Sequence, residues 1–472
     1  MIAVQVVVVG GGPGGYAAAF LAADLGLKTA LIDPELNPGG VCVYRGCIPS
    51  KALLHVAKLV TEARHADAWG ITFSEPAINL DKLRAFKNQV VARLTGGTGL
   101  LAKSRKVQYV RGLASIEDAH TLRVKLTSGG EETVQFEHAI LATGSVPAVP
   151  ASLRLPGGDD PRVMDSTAAL DLPDIPPSLL VVGGGYIGLE LGSVYAALGS
   201  AVTVVEMTPG LLPGADRDLV DILAKSISRT MKAVLLNTRV VQMKAEPAGI
   251  RVTFDGGQSG DAVFDRVLVA VGRRPNASVP GLDRTQVRLD ERGFIVVDEQ
   301  MRTAEPSIFA IGDVVGEPML AHKASHEGRT AVEVIAGHKV VFEPQAIPAV
   351  VFTDPELAWA GLTEAQAQAA GRTVSVAKFP WAASGRAITL DRVDGLTKLL
   401  IDPATERILG VGLVGSGAGE LIAEAVVAIE MGATASDLKL SIHPHPTLTE
   451  TLMEAAEVFF GQSTHVYKPK RP

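Results

Sequence analysis

VVVVGGGPGGYAAAFLAADLGLKTALID, residues 6–33, decides the fold. A run of valines leads into Gly10, Gly12 and Gly15 in G-x-G-x-x-G spacing, an alanine-rich helical stretch follows, and a second apolar strand ends on Asp33. Each glycine answers a steric demand: a tight turn, close approach of backbone to a pyrophosphate, and packing of helix on strand. The helix N-terminus then offers unpaired N–H groups and a partial positive charge to phosphates. An acid about 20 residues further on accepts from ribose hydroxyls. One such loop is a weak signal, but here the whole unit recurs. LLVVGGGYIGLELGSVYAALGSAVTVVE, residues 179–206, has Gly183, Gly185 and Gly188 in the same spacing and Glu206 at the acidic position. Two dinucleotide sites in one chain predict an electron relay, with FAD and a nicotinamide cofactor the usual pair. Glu206 would repel a 2′-phosphate, and EMTPG after it offers no arginine to receive one, so NAD is expected over NADP.

Composition is that of an ordinary multi-domain globular protein. A chain of 472 residues predicts about three domains. With 47% hydrophobic and 20% charged residues it can bury sizeable cores. The formal net charge is -7 and the one dense basic run is the tail KPKRP, so nucleic acid is not an expected partner. The first residues enter a strand with no basic n-region or apolar h-region before it. Apolar runs break well short of the ~18 to 20 residues a membrane span requires. No export signal, no membrane and a cytoplasmic location are expected, and no metal. Both cysteines, Cys42 and Cys47, lie in GGVCVYRGCIPSKALLH, residues 39–55. In a reducing compartment such a pair is more often redox-active than structural.

Three further segments read as buried strands ending at tight turns: HAILATGSVP around Thr143 and Gly144, RVLVAVGRRPN around Gly272 and Arg273, and SIFAIGDVVGEPMLAH around Asp313. Asp313 reads equally as a site acid or as a plain helix N-cap. From Ile347 onward, hairpin-like runs and helices without a dinucleotide loop predict a separate C-terminal domain.

GGVCVYRGCIPSKALLH is similar to the redox-active disulfide motif of the pyridine nucleotide-disulfide oxidoreductases, and GCIPSKALL resembles the branch that acts on lipoamide, the E3 components of 2-oxo acid dehydrogenase complexes. FPWAASGRA at 379–387 and IHPHPTLTE at 442–450 resemble the same branch, and the likeness covers essentially the whole chain. Mercuric reductases carry an additional C-terminal cysteine pair, which this sequence lacks. The resemblance implies an α/β fold of two Rossmann-like dinucleotide-binding domains plus a C-terminal α+β dimerisation domain. Its boundaries would be 1–147 for FAD, 148–275 for NAD, 276–346 for a central domain completing the FAD site, and 347–472 for the interface.

By the same resemblance Cys42 and Cys47 form a disulfide, with Cys47 facing the flavin and Cys42 exchanging with substrate. Two sulfurs suit that task, since thiolate attack on a disulfide gives a mixed disulfide that a second thiolate resolves. Lys51 would sit near the flavin, paired with Glu190. His445 would take the dithiol proton and stabilise the Cys42 thiolate, with Glu450 fixing its tautomer. His443 reads as structural. In the family the base comes from the partner subunit, so a homodimer is implied. FAD would be held by Gly10, Gly12, Gly15, Asp33, Gly39, Gly40, Val41, Cys42, Lys51, backbone near Ala114, Thr143, Gly144, Asp313 and Ala321. NAD would be held by Gly183, Gly184, Gly185, Tyr186, Ile187, Gly188, Glu190, Glu206, Val240 and the turn from Ala270 through Gly272.

The implied reaction is dihydrolipoamide plus NAD+ giving lipoamide, NADH and a proton. Implied partners are lipoyl domains and the core or peripheral-subunit-binding domain of a 2-oxo acid dehydrogenase complex. The rivals are a related flavin-disulfide reductase with another disulfide substrate, and a non-catalytic assembly subunit. Loss of a cysteine, of His445 or of Glu450 would have favoured the latter, and all four are present. Two departures from the family pattern bear on tuning: VYRG between the cysteines, and Asp33 where Glu is common. Arg45 has two readings, a cation beside the thiolate or a solvated surface residue.

Overall fold

The computed structural model describes residues 1–467, so the KPKRP tail lies outside the described residues. The first unit is a sheet whose parallel core runs in the order Gln108–Asp118, Thr29–Asp33, Ile2–Val9, Glu131–Leu141, Ile308–Ala310. The antiparallel strand Thr121–Leu126 joins the outer ends of two of these. Strand Ile2–Val9 lies between two neighbours and Val6, Val7 and Val8 are fully buried, which is why it reads as an unbroken valine run rather than an alternation. Residues 276–346 return to this sheet through Ile308–Ala310, so they extend the first unit.

The second unit is a five-stranded parallel sheet in the order Ala233–Leu235, Ala201–Val205, Ser178–Val182, Arg266–Val269, Val163–Met164. A three-stranded antiparallel sheet, Thr238–Glu246 with Gly249–Gly256 and Gly260–Phe264, is inserted in it. A short antiparallel ribbon, Ser145–Pro147 with Arg273–Pro275, connects the two units. The third unit is an antiparallel sheet in the order Ala349–Val351, Glu356–Gly361, Ile408–Gly415, Leu396–Ile401, Ser375–Pro380. Helices Ala418–Glu430 and Glu450–Phe460 pack into its core.

In the FPWAASGRA segment Phe379, Trp381, Ser384 and Ala387 are buried, while Pro380, Ala382, Gly385 and Arg386 are exposed. Trp381 is fully buried, and its indole Nε1–H donates to Thr397 Oγ1 at 2.9 Å. Gly395 and Gly415 make room for the ring, since a Cβ on either would stand 2.4 or 2.2 Å from it.

Both glycine loops have the geometry their spacing calls for. Gly10 turns at φ +108°, where a Cβ would stand 2.2 Å from the Ala142 carbonyl oxygen, and a Cβ on Gly15 would stand 1.8 Å from the Gly10 oxygen. In the second loop the corresponding values are φ +112°, 2.4 Å from Ala270 and 2.2 Å from Gly183.

Candidate active site

Gly46, at φ -144° and ψ -114°, separates a short helix, Gly40–Arg45, from the long helix Cys47–His65. Cys42 therefore projects from one helix and Cys47 opens the next. Pro49 fits the first turn of the second helix, where its missing N–H costs no hydrogen bond. A helix N-terminus favours a thiolate.

The expected pair is brought together: Cys42 and Cys47 lie side by side as free thiols, each acting on the ionisation of the other. A hydrogen bond from Cys42 holds the Cys47 thiol down to about 7, against burial and with help from the Lys51 ammonium. The same bond, together with burial, pushes Cys42 well up. The thiolate of the pair is therefore favoured on Cys47 over Cys42. Lys51 Nζ lies 2.8 Å from Glu190 Oε2, and the Glu190 side chain is only 5% exposed. Two tyrosines stand beside the pair: Tyr16, raised by burial and then by the Cys42 and Cys47 charges, and Tyr186, raised chiefly by burial.

Arg45 stands nearer its surface reading than its thiolate reading, with a side chain 39% exposed. It ion-pairs with Glu35 and lies 5.9 Å from the Tyr44 ring centroid, turned toward the first nucleotide loop. Its charge acts on Asp33, which burial raises and the Gly11 N–H and Arg45 lower.

Other candidate residues are spread over the two glycine units and the segments beside them. Asp33 Oδ2 accepts from Gly11 N–H at 2.6 Å and Oδ1 from Glu35 N–H at 2.9 Å. Glu206 repeats this pattern, accepting from Gly184 N–H at 2.7 Å and Thr208 N–H at 2.8 Å. Thr143 Oγ1 donates to the Asn276 carbonyl at 2.7 Å, and Gly144 turns at φ +71°. Ala114 lies in strand Gln108–Asp118, opposite Val124. Val240 is buried in the inserted sheet beside a bulge, so only its backbone is offered. Gly272 turns at φ +124°.

Asp313 is not a helix N-cap. It sits inside one turn of 3-10 helix, Gly312–Val314, while the next helix begins at Ala321 after Leu320. Ser145 Oγ–H donates to its carboxylate, and Arg273 Nε–H donates to that Oγ at 2.7 Å. This chain, invisible in the separate motifs, connects the ribbon between the two units to the Asp313 turn.

These residues suit two dinucleotides. A Cβ on Gly12 or Gly185 meets nothing within 4 Å, so each loop leaves open space at a helix N-terminus, where backbone N–H groups lack intrahelical partners. Arg217, further along the second loop, commits its guanidinium to the carbonyls of Leu211, Leu212 and Ala215 at 2.7 to 2.8 Å and so is not free to receive a 2′-phosphate.

His445 Nδ1 meets Glu450 Oε1 at 2.9 Å, and Glu450 Oε2 accepts from Thr447 N–H at 2.8 Å. Burial pushes Glu450 up, but Thr447 and His445 together hold it below the usual carboxylate range. The imidazole is 75% exposed, so Nε2 faces outward from its own protomer. It makes no hydrogen bond to either cysteine among the described residues. His443, by contrast, is 7% exposed and bound on both nitrogens, to Glu424 and the Ser441 carbonyl.

Asp216, Asp218 and Glu364 form the only group of three possible metal-ligating side chains among the described residues. Lys398 Nζ sits at its centre, 2.7 Å from Asp216 and 2.9 Å from Asp218 and paired with Glu364. Sequence reading missed this cluster, and it missed Phe352, whose ring centroid is 4.4 Å from Lys51 Nζ.

Two family models match: pyridine nucleotide-disulphide oxidoreductase over residues 4–328, and the dimerisation domain of that family over 347–456. Dihydrolipoyl dehydrogenase of Haemophilus influenzae is 51% identical over 470 residues, covering 99% of this chain and 98% of the relative. The structure of LpdA from Mycobacterium tuberculosis superimposes with a TM-score of 0.88 at 28% identity, covering 96% of this chain and 99% of that one. The HOCl-induced flavoprotein disulfide reductase RclA of Escherichia coli gives 0.83 at 28%, covering 97% and 99%.

Proposed function

The chain belongs to the pyridine nucleotide-disulphide oxidoreductase family, and from that premise we propose the roles of its residues in the oxidation of dihydrolipoamide to lipoamide by NAD+. It is an FAD- and NAD-dependent oxidoreductase, and its function is that of a dihydrolipoyl dehydrogenase. The observation that carries the assignment of roles is geometric: Cys47 opens the long helix that also carries Lys51, paired with Glu190, while Cys42 sits on the short helix before it.

From the disulfide state, a substrate thiolate attacks Cys42 Sγ, and the Cys42–Cys47 bond breaks with its electron pair left on Cys47. Cys47 is the better leaving group because its thiolate is the stabilised one. His445 of the partner subunit takes the substrate proton on Nε2, while Glu450 holds Nδ1 and stabilises the imidazolium. The second substrate sulfur, deprotonated in turn, attacks the substrate sulfur of the mixed disulfide. Lipoamide leaves, and Cys42 departs with the electron pair and is protonated. The enzyme is left with two added electrons as a Cys42 thiol and a Cys47 thiolate. FAD, when bound, supplies the transfer of those two electrons to NAD+. The first loop, Asp33, Thr143 and the Asp313 turn would hold it, and the second loop with Glu206 would hold NAD.

The chain carries the dimerisation domain of its family, which supports a homodimer. Docking on lipoyl domains and on the core or peripheral-subunit-binding domain of a 2-oxo acid dehydrogenase complex completes the proposal. We infer a cytoplasmic location from a dithiol that must cycle in a reducing compartment. No described helix is long and apolar enough to cross a membrane.

The test is NADH formation with dihydrolipoamide, set against glutathione with NADPH, in wild type and Cys42→Ser. Wild type should turn over dihydrolipoamide alone, and the variant should keep its flavin and lose turnover. Near-normal turnover in Cys42→Ser would overturn the assignment of roles.

A further inference from the structure

We propose that Phe352, at the edge of the dimerisation domain, is a positioning residue for the dithiol: its ring and its backbone N–H together fix the Lys51–Glu190 pair that faces Cys47. The inference rests on the redox reading of Cys42 and Cys47 and extends it to a domain that holds neither.

Three segments distant in sequence converge here. Lys51 comes from the helix that Cys47 opens, and Glu190 from the helix after the second glycine loop. Phe352 follows the edge strand Ala349–Val351 of the third sheet. Its backbone N–H donates to Glu190 Oε1 at 3.0 Å, which leaves Oε2 for Lys51 Nζ at 2.8 Å. The ammonium also lies over the Phe352 ring, 4.4 Å from the centroid, within range of the negative ring face. Lys51 therefore has an anion at one side and a π face at another, and its charge is held in one place.

That place matters to the thiols. Lys51 lowers both Cys42 and Cys47, while Glu190 raises Cys47, so the balance depends on where the ammonium rests. The other ionisable groups facing the pair are Tyr16 and Tyr186, and neither carries charge near neutral pH. Lys51 is the cation whose charge lowers Cys47. Phe352 is itself well anchored. Thr353 is buried with its hydroxyl bound to the Pro355 carbonyl, the Asp354 carbonyl accepts from Ser226 Oγ at 2.9 Å, and Arg392 pairs with the Asp354 carboxylate. The dimerisation domain thereby reaches Glu190 through a backbone N–H and Lys51 through a ring face.

The experiment measures iodoacetamide alkylation of the reduced holoenzyme against pH in wild type, Phe352→Leu and Phe352→Tyr. Phe352→Leu should raise the midpoint by about half a pH unit, leaving about threefold fewer thiolates below it. Phe352→Tyr keeps the ring face and should restore the wild-type curve. Adding Phe352→Leu to Lys51→Met should shift the midpoint no further. Replacement by pentafluorophenylalanine, which keeps the shape and reverses the charge of the face, should shift the curve as Leu does and so serves if the Leu variant fails to fold. Superimposed wild-type, Leu and pentafluoro curves would overturn the role of Phe352. Absence of any low-midpoint thiol in wild type would instead overturn the redox reading beneath it.

Discussion

In the first glycine unit the N–H of Gly39 donates to the Gly11 carbonyl at 2.7 Å; in the second, Leu212 donates to the Gly184 carbonyl at 3.0 Å. Each loop is thus roofed by the segment that follows its acid, at the same hydrogen-bonding position. The roofs then part company. The first passes through Gly40 and delivers Cys42 and Cys47. The second delivers Asp216 and Asp218, which grip Lys398 of the dimerisation domain. A duplicated nucleotide unit has been specialised by its roof alone: one carries the reacting sulfurs, the other anchors a domain. Loop geometry, which is nearly identical in the two copies, carries none of that difference.

The comparison breaks most sharply at Gly40, which turns at φ +58° and where a Cβ would stand 2.5 Å from Gly12 Cα. Backbone strain alone costs a non-glycine residue about 1 to 2 kcal/mol, and the clash adds to it. Gly40→Val should lose flavin by at least about tenfold and abolish turnover, read as flavin absorbance per protein. Gly185→Ala meets no protein atom within 4 Å and should keep its flavin while raising the KM for NAD. Equal flavin loss in both variants would mean that the second glycine loop, and not only the first unit, holds the flavin.

Lys398→Met tests the second roof. It leaves the carboxylates around a fully buried position without their shared cation, and should lower stability by about 3 to 5 kcal/mol in denaturant titrations. Burial opposes the ammonium, yet Asp216, Glu364 and Asp218 hold its pKa above the ordinary value. That contribution is complete below the ordinary lysine value and is lost as pH rises through the raised one. Burial also opposes ionised Asp218, but Lys378 and Lys398 hold it below the usual range. Its contribution is present above the ordinary aspartate value and is lost as pH falls through the depressed one. Wild-type stability should therefore fall off at both extremes, and the variant should have the flatter profile.

A smaller effect is expected from Glu206→Ala combined with Met207→Arg. The acid's two backbone hydrogen bonds are lost, and a guanidinium appears at a position 73% exposed. Efficiency with NAD should drop about 10- to 100-fold while that with NADP rises, as steady-state kinetics with both will show. An unchanged preference would mean that the second loop is misread. Arg45→Val should do least. A partly exposed pair with Glu35 contributes at most about 1 kcal/mol. Because Arg45 faces Asp33 and not the sulfurs, the thiol alkylation curve should move by less than about 0.2 pH unit. A larger shift would place its charge within reach of the dithiol.

Sequence alone determined what depends on neighbours along the chain. Gly10, Gly15, Gly183 and Gly188 announce themselves because no side chain fits those turns, and the acid closing each unit sits at a separation the strand and helix lengths impose. The cysteine motif is legible for the same reason, as is His445 with Glu450 five residues on. Tertiary structure decided what depends on residues far apart. Asp313 could be a cap or a site acid until Ser145 and Arg273 were seen to hold it. Arg45 had two readings until Glu35, ten residues before it, took its charge. Trp381 stood in a family motif, but its burial against Gly395 and Gly415 makes it core. Lys398 and Phe352 carried no signal at all. A buried lysine in LTKLLI looks like an outward-facing strand residue until three acids from two other segments surround it. A phenylalanine acquires an electrostatic role only when a cation from 301 positions away comes to rest on its face. Electrostatic partners act through space, and one-dimensional spacing does not record which charges the fold brings together.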